Sequence, residues 1–376
     1  MAAIIKTIKP AGGGDYTTLQ AFENAAQTAG TLASPWHAEC YRGNLGSLSI
    51  GARTYIATPS AHPYFYAASG EQHNGKLTQN ISETAHISAV GGTPGIIIEY
   101  DIATNYCDIT GLRISSNNSI AITAAATDSS VGHLLNRLLI EVTGNGGGTN
   151  GGAIRMSITG TTPINGLTIR NCNITMSGNA TQAIRFYCGN GSASTDIHHN
   201  LYLYNVGIQS TGTLTYGLRL SHNSSTFSYY PDTTIYNVAI TGTSITTCYS
   251  KSDAAIVATG THNLSSDATA FGSANLQLSK TQAATWTATN DHVTPITGSA
   301  LLDNGVDLSA TAISPFSVDI LGQSRPLGPA WDIGGVEFPA VSAPAAELEL
   351  PLRYRVITRQ RRFISSFPYE IDPDGI

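Results

Sequence analysis

Four short segments of this chain align with one another: GAIRMS from Gly152, QAIRFY from Gln182, YGLRLS from Tyr216 and AAIVAT from Ala254. Their central apolar residues, Ile154, Ile184, Leu218 and Ile256, lie 30, 34 and 38 positions apart. A second series, LTIRNCNI, LYLYNVGI and TTIYNVAI, carries Asn171, Asn205 and Asn237 at spacings of 34 and 32. NRLLIEV (Asn136 to Val142) reads as a degenerate earlier copy, and ITGLRI (Ile109 to Ile114) as an earlier one still. Two different marks recurring in the same order, both drifting by a few residues, identify a structural repeat.

A repeat of this length without helical periodicity excludes the helical arrays and leucine-rich repeats. Propeller blades need tight hairpins, and the Asn-Gly and Asp-Gly turns that mark them are few. Parallel stacking of whole repeats fits better. Apolar residues alternate about Asn171 and Asn205 (Leu167, Ile169, Cys172, Ile174; Leu201, Leu203, Val206, Ile208), so each should stack on its equivalent about 4.8 Å away. Asn tolerates the left-handed conformation of a sharp corner, and stacked amides can hydrogen-bond from repeat to repeat.

Composition narrows the function. Charged residues are 12% of the chain and hydrophobic ones 41%, a balance that excludes disorder. A net charge of -6 argues against nucleic acid as a partner. No apolar run reaches the ~18–20 residues that span a bilayer, so no membrane association is expected. Met1 to Pro10 reads as lacking a secretory signal. Cys40, Cys107, Cys172, Cys188 and Cys248 are scattered with no CxxC pair, which predicts neither a disulfide framework nor structural zinc.

One helix is predicted, in GGGDYTTLQAFENAAQTAG. Thr17 and Gln20 have capping-box spacing, Leu19, Phe22 and Ala26 share a face, and Gly30 can end the helix. It would cap the first repeat. The expected organisation is a strand and capping helix over 1–30, the repeats over 31–275, closing coils over 276–338, and a linker and docking arm over 339–376.

GGGDYTTLQAFENAA resembles the opening of pectin-lyase-like β-helix proteins. DILGQSRPLGPAWDIGGVEF (Asp319 to Phe338) resembles the D-x-x-G-x-x-R…D-I-G-x-x-E segment that follows many such solenoids. The resemblance spans roughly residues 1–338. It implies an all-β, right-handed parallel β-helix with an N-terminal capping helix, to which this chain adds an extended C-terminal arm. The handedness comes from the resemblance and not from the period. The resemblance does not imply one activity, because the superfamily includes lyases, hydrolases, esterases and phage tailspikes. The signatures of its enzymes are missing. There is no N-T-D, D-D and G-H-G series, no G-x-x-D-F-I-F-G strand, and no W-x-D-H or R-x-P-x-x-R element.

Candidate site residues follow from alternation along the strands. Glu99 and Asp101 in IIIEYDI lie two apart and can share a strand face, as a solvated edge or as a general acid. Arg155, Arg185 and Arg219 each follow an inward apolar residue, so all three should project outward in one strip, bounded by Val257 in the next repeat. Such a strip either fans out and stacks on tyrosines or takes up an acidic glycan, a phosphate or a partner's carboxylates. A catalytic arginine is the remaining reading. Tyr202, Tyr204 and Tyr236 are either strand formers or exposed rings for stacking on sugars. His198 and His199 are adjacent and should point to opposite faces, so no metal or other cofactor is expected.

The arm holds Arg353, Arg355, Arg359, Arg361 and Arg362 beside apolar residues such as Phe363. It reads as an assembly element that packs on a neighbouring subunit or another virion protein. The leading expectation is therefore a non-enzymatic structural or binding protein. It would be a tailed-phage virion component (fibre, spike or decoration subunit), homo-oligomeric with a trimer favoured, and exposed to acidic polysaccharide. A polysaccharide lyase or glycosidase with an unrecognised site is one alternative, and a bacterial surface adhesin, outside the cell, is another.

Overall fold

The computed structural model describes residues 3–29, 34–50, 62–75, 77, 79–89, 94–100, 107–117, 120–126, 131–144, 152–158, 165–189, 197–223, 229–277, 295–310 and 317–338. Most of them are strand, and hydrogen bonds between neighbouring strands join all twenty into one sheet. Every strand-to-strand ladder among them is parallel.

The pairings fall into three ladders that the chain visits in turn. The first links Ile4–Ile8, Trp36–Cys40, Tyr64–Ala67, Cys107–Thr110, Val131–Asn136, 165–170, 197–204, 229–236 and Ala258–Thr261. The second links Gly43–Asn44, Ala85–Ala89, Arg113–Ser116, Leu139–Val142, 172–176, 206–210, 238–240, Leu264–Ser265 and Leu276–Gln277. The third links Leu48–Ile50, Ile96–Tyr100, Ile120–Ala126, Gly152–Ile158, Ala180–Cys188, 213–222 and 244–251. Buried apolar residues of all three ladders join in one hydrophobic cluster. A large parallel sheet of this kind fits a parallel β-helix.

The apolar series of the sequence stacks as expected over its first three members, Ile154, Ile184 and Leu218. Its fourth member is corrected: the residue opposite Leu218 is Tyr249, not Ile256. Ile256 is buried too, but lies outside the ladder. The aligned AAIVAT text misled because Tyr249 is apolar in body yet polar at its tip. Its hydroxyl is satisfied internally, donating to the Val238 carbonyl at 2.7 Å. The series also runs earlier than the sequence suggested, through Leu48, Ile96 and Ile122.

The Asn series is a structural column. Asn171, Asn205 and Asn237 have φ of 49°, 53° and 55° and are fully buried. Asn205 Nδ2 donates to Asn171 Oδ1 at 3.1 Å, and Asn237 Nδ2 donates to Asn205 Oδ1 at 2.9 Å. Gly111 (φ 75°) and Arg137 (φ 54°) extend the column one way, and His262 (φ 54°) and Ala274 (φ 50°) the other. The left-handed turn is therefore shared by these seven levels, and Asn is a side-chain-bearing residue that tolerates it and caps it with an amide. Where Arg137 stands instead, its guanidinium is tied down, Nε to the Ile320 carbonyl at 3.1 Å and Nη2 to Gln72 Oε1 at 2.6 Å.

The helix is Leu19–Thr28, with Leu19, Phe22 and Ala26 buried. Its N-cap is Thr18, whose hydroxyl accepts from the Ala21 N–H at 3.2 Å, so Thr17 is corrected by one position. Gln20 is not a capping partner but accepts from the Ser49 N–H at 2.7 Å. Phe22 packs on Tyr16, Trp36 and Phe65 at ring distances of 5.5–5.9 Å, fixing the helix to the first strands. Gly30 lies outside the described residues.

The segment read as closing coils adds no further ladder after Leu276–Gln277 among the described residues. The described residues of 295–338 make only the isolated antiparallel bridges Gly305–Trp331 and Val318–Ser324. Their apolar side chains pack on the outer side of the strands. Leu301 and Ile333 meet Ala239 and Leu264, and Ile320 and Val336 meet Leu139. Leu308 and Trp331 meet Tyr204. The Asn column anchors them, since Asn237 Nδ2 donates to the Val306 carbonyl and its Oδ1 accepts from the Val306 N–H at 2.8 Å.

Candidate functional site

The outer side of the third ladder carries the strip foreseen from sequence. Arg155, Arg185 and Arg219 stand directly opposite one another in register. Thr123 precedes them and Ser250, rather than Val257, follows. All three are half-buried. At a strand spacing of about 4.8 Å their charges repel. Burial holds the Arg185 guanidinium below its ordinary pKa, with the Arg219 and Arg155 charges acting in the same direction. Two rings relieve the strip: the Arg185 guanidinium lies 4.7 Å from the Tyr187 ring centre, and that of Arg219 lies 4.7 Å from Tyr216. Neither Arg155 nor Arg219 forms an ion pair among the described residues. The arrangement can take up a row of carboxylates, sulfates or phosphates lying across successive strands.

The tyrosines do not form an open stacking face. Tyr202, Tyr204 and Tyr236 do stack, at ring distances of 6.1 and 5.9 Å and nearly parallel. Yet Tyr204 is only 5% exposed, and Tyr202 and Tyr236 are half-buried beside Trp331 and Leu308. Tyr204 is therefore no sugar platform, while Tyr202 and Tyr236 keep part of their surface. A segment about 100 residues later in the chain covers Tyr204, and strand alternation carries no information about that.

The same segment explains the motif at Asp319 to Phe338. Arg325 is fully buried and paired with Glu337, and its Nη2 donates to the Gly334 carbonyl at 3.0 Å. Asp319 accepts from the N–H groups of Leu321, Gln323 and Glu337. Asp332 accepts from those of Asp303 and Phe338, both at 2.7 Å. Burial pushes Glu337 up to about 7 and Asp332 up to about 6. The conspicuous acids and arginine of this motif form a clasp inside the protein, not a surface site.

One group of polar residues was missed as a group. His198 is exposed and His199 buried, so the two project to opposite sides as alternation requires. His198 Nδ1 lies 2.7 Å from Asp232 Oδ2, and Asp232 Oδ1 accepts from the Val257 N–H at 2.8 Å. The His198 ring stacks on Tyr230 at 5.0 Å, and His222 packs on the same Tyr230, also at 5.0 Å. His222 Nε2 in turn lies 3.1 Å from Asp253 Oδ2. The signal was present in the spacing, because His198 and Asp232 are 34 apart, one repeat.

The side chain of Glu99, all of Asp101, and the arm residues Arg353, Arg355, Arg359, Arg361, Arg362 and Phe363 lie outside the described residues. The five cysteines are buried. Burial pushes the Cys172 thiol up to about 12 and Cys248 up to about 11, so these two are core residues and not nucleophiles.

Comparison with known protein families, with curated proteins and with solved structures found no match for this chain.

Proposed function

We propose that this chain is a right-handed parallel β-helix that serves as a structural and glycan-binding component of a tailed-phage virion, with the arginine strip as its contact for acidic polysaccharide. The single observation that carries the binding part is the in-register row Arg155, Arg185 and Arg219. A β-helix reading is supported by three parallel ladders visited in turn around one apolar cluster. Three like charges in adjacent strands concentrate positive charge in one row. A polyanionic glycan lying along the ladder direction would bring repeated negative groups to that row. The Tyr187 and Tyr216 rings each lie beside one guanidinium, those of Arg185 and Arg219, whose planar fork suits bidentate contact. Assembly is assigned to residues 339–376, which would dock on neighbouring copies or on other virion proteins, with a trimer favoured.

A panel of acidic and neutral polysaccharides tests the binding part. Acidic glycans should bind with an affinity that falls steeply as salt is raised, and the triple variant R155Q/R185Q/R219Q should lose that binding. Equal binding of neutral glycans, or no loss in the triple variant, would remove the reading. A chain ending at Phe338 tests the assembly part: it should fold yet lose its oligomeric state in light scattering.

A further inference from the structure

The geometry points to a second chemical capacity of this surface: His198, oriented by Asp232, is a general base that hydrolyses O-acyl esters on a glycan. The carbohydrate part of this substrate rests on the glycan reading above; the chemistry of the dyad does not.

Asp232 decides which nitrogen of His198 holds the proton. A carboxylate only accepts, so the 2.7 Å contact to Asp232 places the proton of neutral His198 on Nδ1. Nε2 then carries the lone pair, and it has no protein partner among the described residues. The side chain is 45% exposed, so water and substrate can reach it. The ring cannot swing away, because Tyr230 stacks on one face and Asp232 is itself fixed by the Val257 N–H. His222 cannot take the same role, since both its ring nitrogens face oxygen acceptors, the Asn223 carbonyl at 2.9 Å and Asp253 at 3.1 Å.

The choice of ester follows from what surrounds the base. Glycoside hydrolysis requires two carboxylates flanking the bond. Here Asp232 and Asp253 are each committed to a histidine. Ester hydrolysis needs one group that first accepts a proton and then returns it, which one imidazole does. His198 Nε2 takes a proton from water as the water oxygen bonds to the acyl carbon. The tetrahedral intermediate then collapses, the bond from carbon to the glycan oxygen breaks, and that oxygen takes the proton from Nε2–H. An acyl group leaves as a carboxylic acid and the glycan regains its hydroxyl. Asp232 is a positioning residue that steadies the imidazolium formed in between.

The test uses the full chain with two substrates, p-nitrophenyl acetate and an O-acetylated acidic polysaccharide. Wild type should cleave both with saturation. His198→Gln should lower kcat by at least about 100-fold on each, with its thermal midpoint unchanged. Asp232→Asn should lower kcat at constant KM and move the acid limb of the pH profile, and Asp232→Glu should recover part of the rate. R155Q/R185Q/R219Q should raise KM for the polysaccharide alone. Absence of cleavage by wild type on both substrates, or a His198→Gln protein as active as wild type, overturns the inference. Cleavage of the nitrophenyl ester alone, dependent on His198, overturns the glycan substrate while the dyad stands.

Discussion

Asn205 Nδ2 donates to Asn171 Oδ1 across 34 residues of sequence, and both residues hold a positive φ with no exposed surface. A side chain thus links one repeat to the next at the point where the backbone turns most sharply. Removing the amide from Asn205 strands a buried donor on Asn237 and a buried acceptor on Asn171. Asn205→Ala should cost about 1–3 kcal/mol for those orphaned groups, read from chemical denaturation. Asn205→Gly relieves the backbone but not the amides, so it should retain most of the loss. A silent Gly variant would show that the amide row contributes nothing.

A steric prediction concerns Gly212. A Cβ built there lies 2.3 Å from the Gly178 carbonyl oxygen, and one built on Gly178 lies 2.2 Å from that of Gly144. The backbones of successive repeats approach too closely here for a Cβ on Gly178 or Gly212. Gly212→Ala should therefore destabilise by about 1–3 kcal/mol through overpacking. Unchanged unfolding by this variant would mean that the strands can separate locally.

The arginine strip should behave oppositely. Arg185 sits between two like charges, so its removal relieves repulsion as it removes a contact group. Arg185→Gln should leave the thermal midpoint unchanged or raise it slightly, and should weaken binding to an acidic polysaccharide with a shallower salt dependence. A large loss of stability would identify Arg185 as a packing residue instead.

The clasp predicts a pH dependence with a definite sign. Burial raises Glu337 to about 7 and Asp332 to about 6, around Arg325 and beside Asp319 and Asp303. Acids raised in the folded state contribute stability that is full below their unfolded pKa and lost as pH climbs through 6 and 7. His73 and His199 act against this. Burial lowers each to about 4 from the usual 6.5, so their contribution is lost as pH falls through that interval. Melting followed from pH 4 to 8 should show Glu337→Gln with a shallower decline toward alkaline pH, the remainder belonging to Asp332. A variant with the same slope as wild type would show that Glu337 stays ionised throughout.

Much of the strand framework could be read from spacing alone. Ile154, Ile184 and Leu218 pair as the sequence alignment implies, because side-chain alternation lets a parallel ladder bury its apolar residues in only one register. The column of asparagines was legible for the same reason, reinforced by the few residue types that accept a left-handed turn. The error at Ile256 shows the limit of that logic. Two apolar residues, Tyr249 and Ile256, compete for one position, and the ladder takes the one whose hydroxyl finds acceptors in Val238 and Leu264.

The sequence by itself determined the repeat, the all-parallel strand content, the face that each arginine occupies and the opposed directions of His198 and His199. These depend on alternation along a strand, which is local. Only the tertiary structure decided that Tyr204 is covered by Trp331 and that Arg325 and its three acids are an internal clasp. Those outcomes depend on where a segment without periodicity is laid down and on which side chains one repeat presents to the next. Such contacts join residues whose separation in the chain carries no pattern of its own, so burial and pairing there are settled by packing in three dimensions.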